Sequence, residues 1–122
     1  MMKIPYGRQF IDNDDIKEVS KVLKSELITT GKQISKFEQK INNLIKCKFS
    51  SACNSGTSAL HLSLIASGVK KNDEVLMPSL NYIASANTTL YCNAIPHFIE
   101  ITNKSLTIDP HMLSLYLKEI LY

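Results

Sequence analysis

Between residues 11 and 25 the apolar positions Ile16, Val19, Val22 and Leu23 fall on one side of a helix, and Asp12 or Asn13 stands where a cap is needed. Acidic residues follow in the first turn, where they complement the positive end of the helix dipole. "ELITTGK" breaks the pattern with two β-branched threonines and Gly31. Helical spacing resumes through Phe37, Ile41, Leu44 and Ile45, with Ser35 and Glu38 spaced as a capping box. "KFSSACN" reads as a short strand, and "TSALHLSLIASG" as a largely apolar helix closed by Gly68. The alternation then continues. "DEVLMP" is a buried strand stopped by Pro78, "YIASANTTLYCN" a helix, "IPHFIEI" another strand, and "DPHMLSLYLKEI" a helix opened by Asp109 and Pro110.

Strands alternating with helices at this spacing predict right-handed βαβ crossovers and a mainly parallel sheet with flanking helices, an α/β class. No internal repeat, low-complexity segment or Pro/Gly/Ser-rich linker interrupts the chain. A hydrophobic content of 44% with 20% charged residues permits a core and argues against disorder. Of the 14 basic residues only Arg8 is arginine, and the lysines are spread along the chain rather than gathered in a stripe, so a nucleic-acid partner is disfavoured. No signal peptide or long apolar run suggests export or a membrane span, and the odd number of cysteines (Cys47, Cys53, Cys92) leaves at least one unpaired, so the expected setting is the reducing cytoplasm. His61, His97 and His111 are widely separated and none pairs with a cysteine at finger-like spacing, so no metal site is expected.

"NSGTSALHL", Asn54 to Leu62, carries the candidate chemistry. In an open α/β sheet ligands collect where a strand's carboxyl end feeds the next helix, and this turn occupies such a place. Gly56 lets the backbone approach a ligand, the amides of Thr57 and Ser58 are expected to point outward at the positive end of the dipole, and three hydroxyls add donors. That combination suits a phosphate. Asn54 or Ser55 serving only to cap a core helix is the commoner meaning of such a motif taken alone, since one glycine and a few hydroxyls are a weak anion signal. No lysine follows Gly56 as a Walker loop requires, and no G-x-G-x-x-G is present, so nucleoside triphosphatases and dinucleotide dehydrogenases are disfavoured.

Several stretches together resemble the front part of the DegT/DnrJ/StrS aminotransferases, pyridoxal-phosphate enzymes of fold type I that aminate keto groups on nucleotide-linked sugars. The stretches are "IPYGRQFIDNDDI", "LITTGKQISKFE", "NSGTSALHL", "GVKKNDEVLMPSLNYIASAN" and "YCNAIPHFIEI" with "TIDP" after it, in order along nearly the whole chain. The resemblance implies the N-terminal part of a large domain, with residues 1–46 as an arm and helices and 47–122 as βαβ units around the phosphate turn. It implies pyridoxal 5′-phosphate as cofactor, its phosphate held by Gly56, Thr57 and Ser58 and its ring stacked on Tyr82. Asn81 departs from the threonine usual before that aromatic. Leu27, Ile28, Thr29 and Thr30 match a segment at the family's nucleotide-sugar site, and Tyr6 matches a position near the same substrate.

The resemblance further implies glutamate as amino donor, a nucleotide-linked 4-keto-6-deoxy sugar, UDP-linked, as acceptor, a role in nonulosonic acid synthesis for surface glycans, and a homodimer with sites at its interface. It also implies what the chain lacks. The Schiff-base lysine and the carboxylate paired with the pyridinium nitrogen match no residue of these 122, so no catalytic residue is assigned. "MLSLYLKEILY" is still in helical register at Tyr122, and the family's sheet needs later strands between "FSSAC" and the next two. The expectation is a truncated, marginally stable and inactive large domain. A cofactor- or sugar-binding remnant, or one half of a split enzyme, are the alternatives.

Overall fold

A computed structural model of the chain describes residues 7–121. Two compact units divide between Ser51 and Ala52.

In the first unit α1, Asn13–Leu23, starts on the expected cap. The Asp12 carboxylate accepts from the amides of Asp14 and Asp15 at 2.9 and 3.0 Å, and Asp15 returns a carboxylate oxygen to the Asp12 amide at 3.1 Å. Two donors that the helix leaves unpaired are thereby satisfied by one side chain. Ile16, Val19 and Leu23 form the predicted apolar face, and all three are exposed. The second helix, α2, covers Lys32–Ile45 and begins three residues before Ser35. The expected Ser35–Glu38 capping box is therefore not the start of this helix, because Gly31 takes the cap position. A Cβ on Gly31 would stand 2.7 Å from the Leu27 carbonyl oxygen, so only glycine lets the preceding turn close that tightly. Thr30 just before it has φ +54°, a left-handed conformation that costs a β-branched residue dearly.

The second unit runs α3 (Gly56–Ala66), β1 (Glu74–Pro78), α4 (Ala84–Tyr91), β2 (Ile95–Ile99) and α5 (Pro110–Leu121). The helix α3 ends in a Schellman motif: Gly68 at φ +83° donates to Ile65 O at 3.0 Å and Val69 to Leu64 O at 3.1 Å. β1 and β2 pair in parallel, Glu74 opposite Ile95 through Pro78 opposite Ile99, with α4 as the crossover. The α/β class and the parallel pairing are as expected.

"KFSSACN" is not a strand among the described residues. A strand exists only through a ladder, and the ladder of the described residues joins β1 to β2. The helix expected from Tyr82 starts instead at Ala84, since the Asn81 side-chain oxygen takes the Tyr82 amide at 2.7 Å and holds the preceding turn.

Pro96 lies inside β2, which chain geometry allows only where its missing N–H faces away from the partner. Ile95 donates to Asp73 O at 2.8 Å, so period-two alternation turns position 96 outward.

The core sits where α4 meets the strands: Met77, Ala84, Ala86, Ala94 and Ile99 are buried, with Thr88 and Thr89 at 1% and 0% exposure. Small side chains let the helix lie close to the sheet. Both threonine hydroxyls bond back to α4's own carbonyls, Thr88 to Ala84 O at 2.8 Å and Thr89 to Ser85 O at 3.0 Å, so neither is buried unsatisfied. On its other flank α4 meets α3, where His61 and Tyr91 stack edge to face with centroids 5.5 Å apart. No residue of α3 is buried, although Leu60, Leu62 and Ile65 spread around it.

Candidate functional site

The turn from Cys53 into α3 is built by Ser55. Its hydroxyl oxygen accepts the Ser58 amide at 3.1 Å and its carbonyl accepts the Ala59 amide at 3.0 Å, the two bonds that define a capped helix start. The cap reading of the sequence therefore holds for Ser55. It does not exhaust the donors. Gly56 and Thr57, the first two helical residues, have amides that no intrahelical carbonyl can reach, and neither donates to any recorded acceptor among the described residues. Together with the Thr57 hydroxyl they form a set of donors at the positive end of α3.

The Ser58 amide, expected to point outward, is the one the cap consumes. Its hydroxyl is engaged as well, donating to Asn54 Oδ1 at 2.8 Å and lying 3.0 Å from Ser55 Oγ.

Gly56, Thr57 and Tyr82 come together. They line one open depression of about 620 Å³, with Ser55, Ala59, Leu60, Ser63 and Ala84 completing its wall. Tyr82 reaches it from the loop after the carboxyl end of β1, the end at which open α/β sheets collect ligands. Its ring is 74% exposed, so a flat face is available for stacking. At Gly56 nothing lies within 4 Å of where a Cβ would be, leaving the space beside its α-carbon clear for an anion. An all-donor set with open space at a glycine, and an exposed aromatic ring across the same depression, fit a phosphorylated aromatic cofactor.

Leu27 and Thr30 line a smaller depression of the first unit, about 300 Å³, together with Ser25, Gly31, Lys32 and Lys36. Ile28 is exposed and outside that lining, and the Thr29 carbonyl accepts the Thr30 hydroxyl at 2.7 Å. Tyr6 lies outside the described residues.

A side-chain cluster elsewhere in the second unit has no counterpart in the sequence reading. Tyr116 on α5 lies against His97 on β2, ring centroids 3.9 Å apart, and its hydroxyl meets both His97 Nδ1 at 2.9 Å and the Glu74 carboxylate at 2.5 Å. No local motif announces it, because its members are 19 and 42 residues apart. Glu74 opens β1, whereas Tyr82 follows its far end, so the cluster belongs to the opposite end of that strand from the depression.

Comparison with known proteins gives one consistent result. The model of the DegT/DnrJ/EryC1/StrS aminotransferase family matches residues 9–119. GDP-perosamine synthase of Vibrio cholerae is 35% identical over 107 residues, 87% of this chain and 29% of that protein. UDP-4-amino-4,6-dideoxy-N-acetyl-beta-L-altrosamine transaminase of Campylobacter jejuni is 41% identical over 100 residues, 82% of this chain and 26% of that protein. Among solved structures, Spr1654 from Streptococcus pneumoniae in its PLP form superposes with a TM-score of 0.86 at 29% identity, over 93% of this chain and 29% of that one. The chain thus spans between a quarter and a third of the length of these relatives.

Proposed function

Because the chain belongs to the DegT/DnrJ/EryC1/StrS aminotransferase family, and the similar Spr1654 has been solved with pyridoxal phosphate and with its amino form, we propose that the depression at Gly56 and Tyr82 is the phosphate and ring site of that cofactor. The reaction in this reading is the transfer of an amino group from glutamate to a nucleotide-linked 4-keto-6-deoxy sugar. The carrying observation is the convergence of the Gly56 and Thr57 donors and the Tyr82 ring on one depression.

When bound, the cofactor supplies an electron sink that carries the amino group between donor and acceptor. This chain's part is binding and orientation. Gly56 and Thr57 hold the phosphate, Ser58 belongs to the same turn, and Tyr82 fixes the plane of the ring. The reactive lysine and the pyridinium carboxylate come, in this reading, from polypeptide outside these 122 residues, so the chain by itself turns over no substrate. Leu27, Ile28, Thr29, Thr30 and Tyr6 contact the nucleotide sugar. Identity to the altrosamine transaminase supports a UDP-linked sugar on the way to a surface nonulosonic acid, in a cytoplasmic homodimer.

The test is binding by the purified chain, followed by equilibrium dialysis against pyridoxal phosphate and against pyridoxal. The phosphorylated form is expected to bind at least about tenfold more tightly, the worth of one or two charge-assisted hydrogen bonds. Gly56→Leu should erase the difference by filling the space beside the α-carbon, and Tyr82→Ala should weaken both ligands alike. Equal binding of the two ligands by the wild-type chain would sink the proposal.

A further inference from the structure

Counting protons in the phosphate turn separates residues that touch the anion from those that aim it. Asn54 Oδ1 can only accept, so the bond at 2.8 Å commits the single hydroxyl proton of Ser58 to Asn54. The contact of 3.0 Å between the Ser55 and Ser58 hydroxyls then requires Ser55 to donate to Ser58. Ser55 Oγ in turn accepts the Ser58 amide at 3.1 Å. The result is a closed run of three hydrogen bonds, from the Ser58 amide to Ser55 Oγ, from Ser55 Oγ to Ser58 Oγ, and from Ser58 Oγ to Asn54 Oδ1. It leaves neither serine a hydroxyl proton to offer.

A phosphate accepts and needs donors. Of the donors left at this helix start, the amides of Gly56 and Thr57 and the Thr57 hydroxyl belong to residues that line the depression, whereas the side-chain amide of Asn54, like Ser58, lies outside that lining. We infer that Asn54 and Ser58 are positioning residues: linked through Ser55, they lock the turn so that the Gly56 and Thr57 donors face the cofactor phosphate, and Ser58 does not itself bind it. The inference rests on the phosphate-site reading above and corrects the membership of its donor set. Asn54 has no role in that set on sequence grounds, yet it ends the run that fixes the turn.

The experiment uses pyridoxamine 5′-phosphate, which has no aldehyde to react with surface lysines, and pyridoxamine, which lacks the phosphate. Affinity for each is measured by calorimetry on the wild-type chain, Asn54→Ala, Ser58→Ala, the double variant and Ser58→Thr, with helicity followed by circular dichroism. The readout is the affinity ratio of the two ligands, which a general loss of stability does not move. Each alanine variant should lower the ratio by about tenfold, and the double variant by the same tenfold rather than a hundredfold, since both break one run of bonds. Ser58→Thr keeps the hydroxyl and should restore the ratio. Additive losses, or a loss in Ser58→Ala with none in Asn54→Ala, would make Ser58 a direct ligand and overturn the inference while leaving the phosphate site intact. A wild-type ratio of one would remove the phosphate site and the inference together.

Discussion

The Tyr116 hydroxyl donates to the Glu74 carboxylate at 2.5 Å, tying α5 to the first residue of β1 across 42 positions of sequence. A phenol has one proton, so with that proton given to Glu74 the 2.9 Å contact to His97 Nδ1 is one in which the imidazole donates. Two strands and a helix are joined through one oxygen.

Replacing Tyr116 with Phe keeps the ring against His97 and removes both bonds. Thermal unfolding at neutral pH should shift to lower temperature. The hydrogen bond to Glu74, aided by desolvation and by the charges of Glu74 and Glu119, pushes the phenol up to about 12 from its ordinary 10.0. A group whose folded pKa is raised contributes stability in full below its unfolded value and loses it as pH rises through the folded one. Wild-type stability from this group should therefore fall between about pH 10 and about 12. The Tyr116→Phe chain should lack that component, as read by urea unfolding across the alkaline range, with tyrosinate absorbance placing the missing titration.

Asp12→Ala removes the carboxylate that accepts two amides at the start of α1, while the backbone amide of position 12 keeps its bond to the Asp15 carboxylate. The cost should be about 1 kcal/mol to the first unit, the usual effect of losing a side-chain cap. Circular dichroism with denaturant reads it as helicity lost at lower urea, and Asp12→Ser should recover most of it.

At the turn between α1 and α2, two substitutions should act in opposite directions. Gly31→Ala drives a methyl group against the Leu27 carbonyl oxygen and should destabilise by about 2 kcal/mol, in the range of overpacking in tight sites. Thr30→Gly relieves a left-handed β-branched residue and should stabilise by roughly 0.5–1 kcal/mol after the extra freedom of glycine in the unfolded chain is set against it. Urea midpoints measured on both variants check the pair.

Met77→Ala removes the largest side chain of the buried set on which the second unit depends, and about 2–5 kcal/mol is expected for such a truncation. With so few other buried apolar residues to compensate, loss of amide-exchange protection should spread over α4 and both strands rather than stay at position 77.

Thr57→Val replaces a hydroxyl with a methyl group of nearly the same shape and leaves both backbone amides in place. Affinity for pyridoxamine 5′-phosphate should fall by a factor of about ten or more, the span expected for one hydrogen bond to a charged group. Affinity for pyridoxamine should not change. Calorimetric titration of both ligands reads the difference.

Features decided by neighbouring residues were legible in the sequence. Asp12, Gly68 and Asp109 mark helix ends through bonds to residues two to four positions away, and all three perform as their residue types suggest. The capped turn into α3 was legible for the same reason, down to the Ser55 hydroxyl. What was not legible depends on distant partners or on the fate of individual protons. The residue type of Gly31 does not reveal that the Leu27 carbonyl presses against it, so the start of α2 appeared to lie at Ser35. Residues 48–53 have strand-like composition, but strand structure belongs to pairs. Ser58 reads from its type as a free hydroxyl donor, and residue type does not say which of several nearby acceptors takes its proton, here Asn54 four positions back.

The surface of α3 has a practical consequence. Leu60, Leu62 and Ile65, at 42%, 50% and 54% exposure, lie on different sides of one helix, so no rotation of that helix could hide them all behind α4. A rod that is oily all round dissolves poorly unless something wraps it, and the turn proposed to hold the cofactor sits at its very tip. Light scattering of the chain should therefore rise with concentration well before any heat-induced unfolding, and mild detergent should reverse it. Handled too concentrated, the molecule will bury its own binding site in clumps, and a titration will count only the fraction still dispersed.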